Sequence, residues 1–151
     1  MARNYAQGRY VPTNPEKYAG NKTPVYRSSW ELTMMRFCDN NPAVLQWASE
    51  AIKIPYRNPL TGRSTVYVPD FFIVYQDRSG RTHAELVEIK PSKETTLEAA
   101  GRSVRNRASV LLNYAKWEAA RAFCKQNGIV FRVISEKDIF ANPASKSRKR
   151  A

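Results

Sequence analysis

Residues 68–90, VPDFFIVYQDRSGRTHAELVEIK, hold two apolar runs on either side of Asp77-Arg78-Ser79-Gly80. Strand-forming residues flanking a turn of that composition predict a β-hairpin. In FFIVY both parities are apolar, with Phe72 and Val74 on one side and Phe71, Ile73 and Tyr75 on the other. A central strand covered on both faces has that pattern. Three ionisable residues interrupt it at the open end: Asp70 before the first run, Glu88 and Lys90 at the end of the second. Side chains alternate along a strand, so Glu88 and Lys90 share a face. A turn centred near residue 79 sets Asp70 opposite Glu88, with Cβ atoms about 4.5–5.5 Å apart. A slip of one pairing position would send Asp70 to the other face.

Two carboxylates that close repel unless a cation lies between them or one takes a proton. A hard divalent ion such as Mg²⁺ uses one or two protein carboxylates and completes its shell with waters and phosphate oxygens. It lowers the pKa of water and clamps phosphoryl oxygens. Lys90 can orient or help deprotonate that water, or neutralise charge on the phosphorane. The set suits phosphodiester hydrolysis at a strand end that a substrate backbone can reach. The plainer alternative is a solvated Glu–Lys ion pair on an edge strand. Pro69, the apolar flanks and the basic excess of the chain favour the catalytic one.

Outward from the hairpin, RSSWELTMMRFCDNNP predicts a helix with Ser28 as cap, Glu31 three positions on and a stop at 39–42. Glu31 has two readings: a metal ligand from the first helix, or the carboxylate of a capping box that bonds back to Ser28. Glu50 is expected to be a structural partner or to support a ligand from behind. Pro42 is expected to open a second helical stretch over PAVLQWAS, and AIKIPYR alternates as a half-buried strand, with a turn at NPLTGRS. A long helical region over about 94–127 is expected to break near Gly101 and end at Gly128, with Val110, Tyr114 and Trp117 on one stripe. IVFRVI is a further strand and SEKDIF a closing turn or short helix. Helix, three strands, helix and strand make an α/β fold with a mixed central sheet flanked by helices. The chain divides into an N-terminal arm (1–25), one domain (26–141) and a basic tail (142–151).

Twenty-five Lys and Arg against thirteen Asp and Glu leave a formal charge of +12 on 151 residues. That balance favours a polyanionic partner, nucleic acid before an acidic membrane surface. Cys38 and Cys124 lack CxxC spacing and His83 is the single histidine, too few ligands for a zinc site. Both cysteines are expected to be buried and reduced, as in an intracellular compartment. No apolar leader and no membrane-length stretch is visible, so no membrane association is expected.

Pro69-Asp70 followed by Glu88-Ile89-Lys90, behind a helix bearing Glu31, resembles the PD-(D/E)xK nuclease superfamily over about residues 26–135. More narrowly, NPEKY, YRSSWE at 26–31, DNNP at 39–42, the IPY strand at 54–56 and YVPDF at 67–71 resemble the small head-completion nucleases of contractile-tailed bacteriophages. The resemblance implies a restriction-endonuclease-like core, with Asp70 and Glu88 as metal ligands, Lys90 as catalytic lysine and Glu31 as an additional acidic ligand. It tips Glu31 towards ligand rather than cap. It implies a Mg²⁺-dependent endodeoxyribonuclease, with Mn²⁺ able to substitute, that cuts double-stranded or branched DNA to leave a 5′-phosphate. Further implied are action in phage head completion and DNA packaging, head, portal or neck proteins as partners, and the infected host's cytoplasm or the virion as its location. A homodimer would let two sites cut two strands. Lys116 is the first candidate for a DNA contact, because the helix after the Glu-x-Lys strand lies near the site in this superfamily.

Arg27 and Arg36, flanking Glu31, come next as DNA contacts, with Arg102 and Arg105 at i, i+3 spacing in the long helical region. Phosphate contacts of this kind give affinity without sequence information. For any one of these residues a solvated helix face is the bland alternative. With no sequence-reading module in view, structure-selective or nonspecific cleavage is favoured. The rival is a non-catalytic DNA-binding head or neck assembly protein on the same fold.

Overall fold

The computed structural model describes residues 7–140. The last residues of the sequence, including the basic run from Ser145 to Arg150, lie outside them. In chain order the elements are β1 (Gly8–Arg9), a 3₁₀ turn (Pro15–Lys17), β2 (Val25–Tyr26), α1 (Ser29–Asn40), β3 (Val44–Ser49), β4 (Ile54–Arg57), β5 (Ser64–Tyr67), β6 (Phe71–Gln76) and β7 (Thr82–Ile89). A 3₁₀ turn (Ser92–Glu94), α2 (Leu97–Ala100), α3 (Val104–Asn127), β8 (Val130–Ile134) and α4 (Glu136–Phe140) follow.

The hairpin β6–β7 forms the middle of a four-stranded sheet of order β3-β6-β7-β8, antiparallel except for the parallel pair β7–β8. Its turn is built locally. Asp77 Oδ1 accepts from the backbone N–H of Ser79 and of Arg81, at 2.9 and 3.0 Å, and Gly80 takes a φ of 86°, a region that favours glycine. The register that results pairs Phe71 with Val87 and Gln76 with Thr82.

Each face of the sheet carries its own apolar cluster. Phe71, Ile73, Val87 and Ile89 pack against Met35 and Cys38 of α1 and Trp47 of β3. On the opposite face Leu86 lies with Ile54, Tyr67, Trp117, Ala120 and Cys124, and Phe72 packs against this group. The twofold apolar character of FFIVY is thus accounted for. The long helical region is broken as its glycine predicts: Gly101 (φ 66°) separates α2 from α3, and Gly128, left-handed at φ 70°, caps the end of α3. On the α3 stripe Val110 and Trp117 are buried, but Tyr114 is exposed and Asn113 is the buried neighbour, its Nδ2 donating to the Glu94 carbonyl at 3.0 Å.

Two expectations are corrected. PAVLQWAS is not a helix; Val44–Ser49 is the strand β3, paired along β6. The register shifts between Val44 and Gln46, so the buried Val44 and Trp47 lie three residues apart, as they would on a helix. A β-bulge copied a helical period, and pairing with β6 overrode the propensity of the segment. The segment IPYR is a strand but no member of the main sheet: among the described residues β4 pairs only with β5, in a separate two-stranded ribbon whose second arm begins at Ser64, inside the expected turn. The order helix, three antiparallel strands, helix, strand therefore holds, with β3, β6 and β7 as the three.

The described part of the N-terminal segment lies on the domain's own surface. Asp39, fully buried at the end of α1, accepts from Tyr10 Oη at 2.5 Å and from the N–H groups of Thr13 and Asn14 at 2.7 and 2.9 Å. Burial works against its charge, yet these donors hold its pKa below the ordinary carboxylate value. Lys17 Nζ donates to the carbonyls of Asp39 and Asn41, and Tyr18 packs edge-on against Trp47.

Candidate active site

The pairing Phe71–Val87, continued one step outward, sets Asp70 against Glu88 on the face of the sheet that looks towards α3. Lys90, two residues beyond Glu88, shares that face. Asp70 Oδ2 accepts from the N–H of Ile89 at 2.8 Å, while Glu88 Oε1 accepts from Tyr67 Oη at 2.8 Å. Lys90 Nζ stands 3.7 Å from Glu88 Oε2, and its backbone N–H is fixed to the Ile134 carbonyl of β8. Four elements therefore hold the group: both arms of the hairpin, the ribbon through Tyr67, and β8.

The electrostatics follow from crowding. Burial, then repulsion by Glu88, then the nearby charge of Glu31, push the Asp70 carboxyl well above its usual range against the pull of Ile89 N–H and Lys90. Burial also raises Glu88, opposed by Lys90, Tyr67 and Lys116. Metal-free, the pair binds a proton more readily than isolated carboxylates would, which is the condition a bound cation relieves. Lys116 reaches this group from α3. Its Nζ lies 5.6 Å from the centre of the Tyr67 ring, and burial followed by repulsion from Lys90 lowers its pKa, with Glu88 and Asp70 opposing.

Glu31 serves as a cap and also sits within electrostatic reach of Asp70. Ser28 Oγ accepts from Glu31 N–H at 3.2 Å, and Glu31 Oε1 accepts from the N–H of Arg27, one residue earlier than the capping box expected, at 3.1 Å. Burial and then the charge of Glu50 raise the Glu31 pKa. Glu50, at the end of β3 with φ 51°, is ion-paired with Arg27, and its N–H donates to the Asp70 carbonyl at 2.9 Å. It thus ties the strand end to the segment that leads into α1, a structural part, while its charge also acts on Glu31.

The remaining basic candidates do not gather at the carboxylates. Arg36 is exposed and its charge acts on Tyr10, at the arm side of α1. Arg102 lies in the turn before α3 and Arg105 in its first turn, both exposed; eleven residues separate Arg105 from Lys116, about 16 Å of helix. Tyr67 escaped the reading of the sequence. Its place three residues before Asp70 is a faint signal, because contact with Glu88 depends on how the ribbon docks.

Among the described residues, no three His, Cys, Asp or Glu side chains close on one point as a ready metal cage. Two facing carboxylates are nonetheless the hard oxygen donors Mg²⁺ takes, with waters and substrate phosphate supplying the rest. The donor set fits such an ion and does not suit zinc.

A mixed four-stranded sheet between helices, with an Asp, a Glu and a Lys converging at one strand end, defines a restriction-endonuclease-like nuclease fold. The chain belongs to the TnsA-like endonuclease N-terminal family, whose profile matches residues 41–136. It is also 34% identical over 144 residues to the head completion nuclease of Enterobacteria phage T4, covering 89% of this chain and 93% of that protein. The family makes the chain an endonuclease and DNA its substrate. No helix among the described residues is long and apolar enough to cross a membrane.

Proposed function

We propose that this endonuclease is Mg²⁺-dependent, with Mn²⁺ able to substitute, and that it cuts branched or double-stranded DNA without reading sequence. The observation that carries this is the register that faces Asp70 with Glu88 while Lys90 and Lys116 stand beside them. Asp70 and Glu88 would hold the ion, with Glu31 completing its surroundings or placing a second one. When bound, the ion supplies a lowered pKa for water and charge neutralisation at phosphate.

The chain's own groups do the rest. Ile89 N–H fixes the Asp70 carboxylate and Tyr67 fixes that of Glu88. Lys90, anchored at its backbone by β8 and with its ammonium 3.7 Å from Glu88 Oε2, would orient the attacking water or offset charge on the phosphorane. Lys116 adds a second cation on the same side. Arg27, Arg36, Arg102 and Arg105 would bind flanking phosphates. The T4 relative's name supports a part in completing phage heads; in this proposal the chain acts in the infected host, head, portal or neck proteins are its partners, and a homodimer is one way to cut both strands.

The test is nicking of supercoiled plasmid and cleavage of branched and linear duplexes in Mg²⁺, Mn²⁺ and EDTA. Lys90→Ala should lower the rate about 10²–10⁴-fold while folding and DNA binding in EDTA persist. Cleavage that continues in EDTA, or in the Lys90 variant, overturns the mechanism. DNA binding with no turnover in any metal would favour a retired nuclease acting in assembly.

A further inference from the structure

The ribbon β4–β5 is unlike the rest of the molecule. Among the described residues it shares no backbone ladder with any other strand, and residues 51–69 carry three cations (Lys53, Arg57, Arg63) and no acid. Alternation divides its two faces. Ile54 and Tyr67 point inward against Trp117 and Ala120 of α3, whereas Lys53, Arg57 and Val66 are exposed. At the tip Leu60 is 55% exposed, and Arg63, three residues on, is exposed as well. An exposed leucine on a polar loop is unremarkable singly, but this loop is held stiffly. Asn58 N–H donates to the Arg63 carbonyl at 2.8 Å, Gly62 N–H to the Asn58 carbonyl at 2.7 Å and Leu60 N–H to Asn58 Oδ1 at 2.8 Å. Arg57 Nη1 closes the turn on the Gly62 carbonyl at 2.7 Å, with Gly62 at φ 75°. The tip is therefore presented in one shape, and a partner need not order it.

The base of the ribbon is fixed to the carboxylate site, since Tyr67 pairs with Ile54 and donates to Glu88. From that base the Arg57–Ser64 pair is three residues out, about 10 Å, and the tip about 20 Å at most. For a duplex lying along the ribbon, at about 3.4 Å per base step, the tip would fall some 3–6 base pairs from a phosphate held at the site.

We propose that the ribbon is a DNA-gripping wing that makes the enzyme prefer duplexes with disrupted stacking. Lys53 and Arg63 hold phosphates, and Leu60 is pressed against a base step as an apolar wedge. Inserting such a wedge costs unstacking energy, which is least where a branch, flap or gap has already opened the stack. Charge selects the occupant: a segment with three cations, no acid and two separated exposed apolar side chains complements a polyanion better than it complements a protein core. The inference rests on DNA being the substrate, and it supplies a source for structure selectivity that the carboxylate site lacks.

The test is binding, which does not need turnover. In EDTA, fluorescence anisotropy compares a flap or four-way junction with a linear duplex of equal length, across a salt series. Wild type should prefer the branched DNA about tenfold. Leu60→Ala should abolish most of that preference while leaving linear duplex within about twofold. Lys53→Ala with Arg63→Ala should weaken both and reduce the salt slope by about 2. Arg57 is left in place because it closes the turn, and unchanged melting temperatures certify the fold of each variant. An unchanged salt slope in the double variant, or a Leu60→Ala effect equal on both DNAs, overturns the wing. Normal binding preferences in a wild-type protein that cuts nothing would uphold the wing and defeat the metal-dependent mechanism instead.

Discussion

Asp70→Asn should stabilise the metal-free protein. Two carboxylates about 5 Å apart repel by about 3 kcal/mol at an effective dielectric constant near 20. Lys90 and Lys116 attract both groups, so removing one charge also forfeits part of that attraction; the net gain is about 1–2 kcal/mol, or about 3–6 °C for a chain of this length. Asparagine keeps an oxygen for Ile89 N–H, so that bond survives. The sign with pH follows from the raised pKa of Asp70. Its ionised form carries a folded-state cost at neutral pH, relieved as pH falls through the raised value towards the ordinary 3.8, so metal-free wild type should gain stability over that window and the variant should not. Mg²⁺ should reverse the ranking: at about a hundredfold the dissociation constant, binding adds about 2.7 kcal/mol to wild type alone, more than the variant's gain. Thermal melts by circular dichroism in EDTA and in Mg²⁺ measure both effects. An asparagine variant that melts below wild type in EDTA would refute the account, because Asp70 would then be a structural carboxylate.

Glu31→Gln separates the two roles of that residue. Glutamine still serves a capping box, so melting should change by under about 0.5 kcal/mol, whereas loss of a ligand should slow nicking at least tenfold; an unchanged rate leaves Glu31 a cap. Tyr67→Phe removes the 2.8 Å bond to Glu88 and should cost about 1 kcal/mol, together with a several-fold rise in the Mg²⁺ needed for half-maximal cleavage. Asp39→Asn should cost about 2–3 kcal/mol through its charge-assisted bonds and open the N-terminal segment to trypsin at Lys17. Because its pKa is depressed, the stability Asp39 contributes is complete above the ordinary 3.8 and fades as pH falls through the lower folded value, visible as an acid limb absent from the variant.

The hairpin was legible because its information is local. The turn from Asp77 to Arg81 fixes the centre at residue 79, and the register, the shared face and the meeting of Asp70 with Glu88 follow from counting. The strand β3 was not legible, since the bulge near Leu45 spaced its buried residues like a helix and only the presence of β6 decides the matter. The site was legible as far as the hairpin reaches. Lys116 could be set near it only by resemblance, and Tyr67 not at all, since both arrive through packing of α3 and the ribbon. Glu31 was legible as a cap because capping uses its carboxylate locally, whereas its reading as a ligand depends on how α1 sets that carboxylate within electrostatic reach of Asp70.

The two cysteines sit in different apolar clusters, Cys38 among the residues around Trp47 and Cys124 among those around Trp117, on opposite sides of the sheet. They cannot meet in a disulfide, and burial pushes the Cys38 thiol up to about 12 and raises that of Cys124 as well, so both are inert to alkylation while covered. Each therefore keeps its own clock. Labelling rates at the two positions, read by mass spectrometry without any engineered probe, would tell whether the half of the molecule bearing α1 opens together with the half bearing α3 or ahead of it.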